Sequence, residues 1–173
     1  MVSFNGSYFM DDLLIRNSFY NNDEIVKDVY STLRKESNLS RRSVKELNRY
    51  IKNKELYCLY EKKEFIGFIL RTKRSNELIE VHGMYIKPSF RGLGYSKFLM
   101  DDVTKDKAFS YLGAVFSQKV KDRLISWGFK EIPFSSLKFR EKVSFLKARF
   151  KIHRLLEVKR HFSEKKELTF FIK

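Results

Sequence analysis

Two proton-accepting side chains, Glu80 and His82, stand two residues apart in the stretch IEVHGMYIKPSFRGLGYSKFLM, residues 79–100. Carboxylates and imidazoles are the groups that most often take a proton from a reacting atom. The imidazole, with an unperturbed pKa of about 6.5, suits that work near neutral pH. The same stretch contains Arg91-Gly92-Leu93-Gly94-Tyr95-Ser96. Glycines let a chain turn tightly and bring backbone N–H groups close to a ligand. A helix that follows such a turn begins with unpartnered N–H groups and a dipole that favours an anion. Strand, glycine turn and helix start therefore make a phosphate cradle. Other residues offer less chemistry. The single cysteine, Cys58, reads as a buried structural thiol rather than a nucleophile. Three scattered histidines with one cysteine give no metal-ligand spacing.

These residues need a strand and a helix to place them. Residues 79–86 alternate in the way of a strand that stops at Pro88. Strict alternation puts Glu80, His82, Met84 and Ile86 on one face and Val81 and Tyr85 on the other. Residues 96–103 read as a helix. The turn lacks the G-x-x-x-x-G-K-S/T pattern of a P-loop. It also lacks the third glycine of a dinucleotide fingerprint, and no ribose-binding acid follows in a βαβ unit.

The stretch resembles the acetyl-CoA-binding motif of the GNAT N-acetyltransferases, Gln/Arg-x-x-Gly-x-Gly/Ala. Arg91, Gly94 and Ser96 occupy its three fixed positions. The family's approach strand, hydrophobic-Tyr-hydrophobic-x-Pro-x-x-Arg-Gly, is matched by Met84 through Gly92. Ser96 departs from the usual Gly or Ala but is small enough for a pyrophosphate to fit. The resemblance implies an acetyl-CoA site at Arg91, Gly92, Leu93, Gly94, Tyr95 and Ser96. It also implies that Met84, Tyr85 and Ile86 hold the pantetheine arm much as an added strand would. Glu80 lies eleven residues before Arg91, the spacing of the base glutamate in the histone-acetyltransferase branch. His82 is the second candidate base. The backbone N–H of Met84 is the implied oxyanion donor, freed by a bulge that Gly83 makes plausible. The family often protonates the departing thiolate with a Tyr four residues before the Gly of an x-Gly-Phe signature. That signature is Trp127-Gly128-Phe129 here, and the position holds Leu124. Tyr95 and Tyr111 are the possible substitutes.

The whole chain, 173 residues, has the length of one domain, with residues 1–11 as a loose leader. Its 43% hydrophobic and 16% aromatic content is ample for a core, which argues against disorder. Strands are expected over 13–19, 55–60, 65–71, 79–86, 111–117, 129–134 and 168–172. Helices fill the gaps at 21–37, 43–52, 96–103 and 119–127. Ser43-x-x-Glu46 reads as a capping box, and Glu61-Lys62-Lys63-Glu64 as a hairpin turn without the Asn-Gly signature. By itself this order gives a mixed α/β class. The resemblance implies more: the GNAT acyl-CoA N-acyltransferase fold, a mixed central sheet with flanking helices, whose fourth and fifth strands splay to admit acetyl-CoA.

Net charge is +15. Such a balance points to anionic partners or to a basic, inert surface. Much of it sits in one place: residues 134–173 hold twelve Lys or Arg and four Glu, a net of +8. Family members join the last two strands by a short loop. Here a basic amphipathic helix is expected within an insertion over residues 135–166. It reads either as a docking element for an anionic acceptor, tRNA or an acidic protein, or as a solvated cover for the sheet edge. The expected activity is acetyl-CoA-dependent acetylation of an amine on a macromolecule. The alternatives are an enzyme for a small amine and a non-catalytic module that keeps the fold. No apolar run reaches the length of a membrane span and no secretion signal is visible, so a soluble, cytoplasmic protein is expected.

Overall fold

The computed structural model describes residues 13–19, 22–36, 39–149 and 167–173. The expected leader and residues 150–166 of the basic insertion lie outside the described residues. The elements run β1 (Leu13–Arg16), α1 (Asn22–Lys35), α2 (Val44–Lys52), β2 (Leu56–Glu61), β3 (Glu64–Lys73), β4 (Leu78–Ile86), α3 (Tyr95–Val103), β5 (Ser110–Val115), α4 (Gln118–Ser126), β6 (Lys130–Ile132), α5 (Phe139–Arg149) and β7 (Thr169–Ile172). The strands form one sheet in the order β1-β2-β3-β4-β5-β7-β6. Among the described residues only β4 and β5 pair in parallel; the other neighbours are antiparallel.

Local chemistry sets several of these boundaries. Ser43 opens α2 with the expected capping box: its hydroxyl accepts from the Glu46 N–H at 3.2 Å, and the Glu46 carboxylate accepts from the Ser43 N–H at 3.1 Å. Gly128 closes α4 with φ +84°. The N–H groups of Gly128 and Phe129 donate back to the carbonyls of Ile125 and Leu124, a Schellman closure. The β2–β3 hairpin turns on Lys62 and Lys63, both at positive φ, where Asn-Gly would be the relaxed choice.

Two layers of helix cover the sheet. On one face α1 and α2 pack Val29, Leu33, Leu47 and Tyr50 over Leu56, Phe68 and Leu70. Cys58 is buried in that layer, and burial pushes its thiol up, which suits the structural reading. On the other face Leu99, Val103 and Leu124 pack over Ile69, Val81 and Phe171. A third cluster, Leu78, Leu112, Leu137, Phe145 and Phe170, seats α5 on the sheet.

The centre of β4 corrects the alternation expected from sequence. Phe68 pairs with Tyr85 and Leu70 with His82, so Gly83 and Met84 together stand opposite Ile69. This is a β-bulge, with Gly83 at φ +60°. One extra residue shifts the phase of the strand. His82 stays with the α2 layer, its ring 6.0 Å from that of Tyr50, and Tyr85 joins that layer against Phe68. Met84 and Ile86 move to the opposite face beside Val81.

Candidate active site

The turn after β4 is built as a cradle. Residues 88–90 form a short 3-10 turn. Arg91 then reaches back, its Nε donating to the Ile86 carbonyl at 2.9 Å and its guanidinium lying over the Tyr85 ring. The same guanidinium meets Glu36 at 3.3 Å. Arg91 thereby ties the turn to the end of the strand. Gly92 and Gly94 stand at φ +89° and +85°. Gly94 caps α3, and no side chain completes the cap. The first N–H groups of that helix have no intrahelical acceptor. A Cβ placed on Gly92 or Gly94 would meet no heavy atom within 4 Å, so the turn faces open space. These features fit a pyrophosphate, which needs N–H donors and room for its oxygens. Leu93 is exposed and Ser96 half-buried. Tyr95 turns its side chain into the core beside Phe90, which leaves only its backbone for the cradle.

Between the cradle and the start of β4 the sheet opens. β4 and β5 pair at Leu78–Ser110, Ile79–Tyr111 and Glu80–Leu112 and then part. β4 continues to Ile86, held on its other side by Gly67 and Phe68 of β3. Met84, Tyr85 and Ile86 therefore present a strand edge to the gap. Gly67 is essential to this spacing: a Cβ there would lie 2.4 Å from the Tyr85 carbonyl oxygen and 2.6 Å from Ile86 Cδ1.

Glu80 and His82 lie where the strands separate. Glu80 is 1% exposed. Its Oε2 accepts from Arg74 Nε at 2.7 Å and contacts Arg74 Nη2 at 2.5 Å. His82 Nε2 lies 3.0 Å from Thr72 Oγ1. Tyr50, Thr72 and Arg74 form part of the wall of a cleft of about 560 Å³, with Arg49, Asn53 and Glu55 on one side and α5 on the other. Burial holds the Glu55 carboxyl above the usual carboxylate range.

The start of α5 is fixed to the β3–β4 turn. Ser75 Oγ donates to the Glu141 carboxylate at 2.9 Å, and Lys138 pairs with Glu77. The other Glu141 oxygen caps the helix, accepting from the Lys138 N–H at 2.9 Å. The helix expected within residues 135–166 thus begins at Phe139, and its described part is a wall of the cleft.

The positions considered for the thiolate proton are committed elsewhere. Leu124 is core. The Tyr95 hydroxyl donates to Glu61, and burial with that bond pushes its pKa up to about 12. The Tyr111 hydroxyl donates to the Asp106 carbonyl at 3.0 Å, and burial raises it too.

Sequence reasoning missed Tyr50, Thr72 and Arg74, which line this cleft, whereas the α5 cations fall within the basic insertion that it set beside an anionic acceptor. The strand expected over residues 65–71 runs on to Lys73. Alternation carried on from Leu70 would have placed Thr72 beside the α2 layer.

A family model described as an acetyltransferase (GNAT) domain matches residues 23–119. No curated protein sequence matches the chain. Among solved structures, N-acetylglutamate synthase from Neisseria gonorrhoeae, complexed with coenzyme A and N-acetyl-glutamate, superposes with a TM-score of 0.67 at 14% identity. The match covers 93% of this chain but only 34% of that one, so this chain spans about a third of that enzyme's length. A Mycobacterium tuberculosis protein solved with CoA gives 0.64 at 14% identity, over 92% of this chain and 97% of its own. Diaminobutyrate acetyltransferase from Paenibacillus lautus, in complex with L-2,4-diaminobutyric acid and coenzyme A, gives 0.59 at 13%, over 93% of each chain. The family model covers more than half of the sequence, and the fold and the cradle agree with it: the chain belongs to the GNAT acetyltransferase family.

Proposed function

We propose that this chain acetylates an amine with acetyl-CoA as donor. One observation carries the reading. A single strand, β4, bears proton acceptors in its first half, a bulge in its middle and an anion cradle at its end, and β5 leaves its edge open beyond Glu80. Bound acetyl-CoA would supply a thioester whose C–S bond breaks as the amine nitrogen bonds to the acetyl carbon. The N–H groups at the start of α3 and the backbone of Gly92 hold the pyrophosphate. The Met84–Ile86 edge orients the arm. The Met84 N–H, at the bulge, donates to charge that develops on the carbonyl oxygen. Glu80 takes the amine's proton, directly or through water; His82 is the second candidate for that role. Arg74 holds the Glu80 carboxylate in place. With Leu124 at the usual acid's position, the thiolate departs without a dedicated donor, which a thiol of pKa about 8.5 tolerates.

The acceptor reading follows α5. We propose an amine on an anionic macromolecule, tRNA or an acidic protein, supported by the net +8 of residues 134–173. A small-amine acceptor is the second reading, favoured by the size of the cleft. Filter binding to total tRNA at two salt concentrations separates them, since neutralised phosphates release counterions and make affinity fall steeply with salt.

Calorimetry with acetyl-CoA tests the cradle. Gly94→Ala carries only the backbone strain of a left-handed residue. Gly94→Glu adds bulk and negative charge and should abolish binding. Equal affinity of a folded Gly94→Glu would overturn the site. Steady thiol release with an amine acceptor would exclude a non-catalytic module, a reading that Leu124 otherwise favours.

A further inference from the structure

The acceptor cleft is built on cations, and they are not equivalent. Arg49, Arg74, Arg140 and Lys147 line it, with Glu55 as the single acid among the lining residues. Arg74 is neutralised by Glu80. Arg49 lies over the Tyr50 ring and within electrostatic reach of Glu55. Arg140 and Lys147 pair with no carboxylate among the described residues. They stand seven residues apart on α5, two helical turns, and so share one face about 10 Å from end to end. Val143, Ser144 and Ala148 lie on the same wall. The Glu141–Ser75 bond and the buried Phe145 hold this wall in position, so the two charges are presented at a fixed place.

We infer that the acceptor carries an anionic group, a carboxylate or a phosphate, close to its reacting amine, and that Arg140 and Lys147 hold that group. This deepens the transferase reading above and rests on it. The charge balance gives the reason. A protonated amine without an anion would enter a site with two unbalanced positive charges. An acceptor that brings its own anion balances them and is oriented by them. A solvated basic helix would not require its cations to line a cleft beside Glu80 and His82.

The full chain would be assayed by thiol release from acetyl-CoA with matched acceptor pairs: free amino acids against their carboxamides, and phosphoethanolamine against ethanolamine. The first pair reports carboxylate and the second phosphate. The anionic member should be preferred. In Arg140→Gln/Lys147→Gln its KM should rise about ten- to hundredfold, the range of a lost charged hydrogen bond. The neutral member should be affected far less, and acetyl-CoA affinity by calorimetry should hold. Turnover without preference for either anion, or equal KM shifts within a pair, would overturn the inference and leave the transferase reading standing. Inorganic phosphate titrated into the CoA-loaded protein, followed by the amide resonances of residues 139–149, reads the site without turnover. Shifts that the double variant abolishes support the anion site even if none of these small acceptors reacts, an outcome that counts against small-amine transfer alone. No shift, together with no anion preference, overturns the inference.

Discussion

Glu80→Gln should separate proton transfer from charge balance, because the carboxylate serves Arg74 as well as any acceptor. Glu80 is 1% exposed and the Arg74 side chain 10%. Both contacts fall on Oε2, at 2.7 and 2.5 Å. Removing one partner of a buried pair costs about 3–5 kcal/mol, because the other charge stays buried without compensation. Total stability of a domain is about 5–15 kcal/mol, so this is a large fraction. At about 2–4 °C per kcal/mol for a chain of this size, Tm should drop by about 6–20 °C. Arg74→Met alone should cost a similar amount for the mirrored reason. The double variant Glu80→Gln/Arg74→Met removes both charges, and its Tm should recover much of that loss, short of wild type by the cost of a buried Gln amide without Arg74. Thiol release would then be followed across pH on all four proteins at a temperature where each is folded. If Glu80 takes the amine's proton, the stable double variant stays slow. Its deficit should be greatest at low pH, where the acceptor is mostly ammonium. If Glu80 only balances Arg74, activity returns with stability. Wild-type pH–rate behaviour in the double variant would refute Glu80 as base and move the test to His82→Ala.

Three further outcomes follow from local geometry. Gly67→Ala forces a Cβ against the Tyr85 carbonyl, a backbone atom that cannot swing aside; overpacking of this kind costs about 1–3 kcal/mol, and calorimetry should show weakened acetyl-CoA binding as the Met84–Ile86 edge shifts. An unchanged melt and affinity would mean that β3 and β4 are not so tightly spaced. Lys62→Asn/Lys63→Gly relaxes two left-handed residues and should raise Tm by about 2–4 °C for each kcal/mol recovered, with activity unaltered. Glu55 is held above its ordinary pKa by burial, so its negative charge opposes folding. That cost is absent below the unfolded pKa and complete once pH passes the raised folded value. Glu55→Gln should therefore raise Tm near neutral pH and leave it unchanged near pH 3, and an equal gain at both would contradict the burial argument.

The cradle was legible in the sequence because its chemistry is local. Gly92 through Ser96 supply the glycines and the helix start within five residues, and no distant contact is needed to foresee them; the Arg91 contacts, which reach Ile86, Tyr85 and Glu36, lay beyond that reading. The capping box at Ser43 and the closure at Gly128 were legible for the same reason. The phase of β4 was not. Gly83 hinted at a bulge, but the alternation of its neighbours was still read as unbroken. Only the pairing with β3 shows that Gly83 and Met84 share one partner position. The cleft was hidden more deeply, since its walls come from α2, β3 and α5, which are separated by many residues. Arg74 and Glu80 look in sequence like two solvated charges near a turn. Folding buries them as a pair.

The bulge has a consequence for how β4 divides its labour. An unbroken strand would put Met84 on the same side as Glu80 and His82 and crowd a third side chain into the α2 layer. With the extra residue, the Met84 side chain packs into the α3 layer and its backbone remains at the open edge. In the proposed mechanism, proton handling then belongs to side chains on the α2 and α5 side, and donor orientation to main chain in the plane of the sheet. Substitution at Met84 by another apolar residue of similar volume should thus alter core packing more than acceptor choice. Changes at Thr72, Arg140 or Lys147 should do the reverse. Leu at position 84 is the direct comparison: such volume-conserving swaps usually cost less than about 1.5 kcal/mol. It should leave the ranking of acceptors as it is in the wild type. A reordered ranking in Met84→Leu would show that this side chain reaches the acceptor after all and that the division fails.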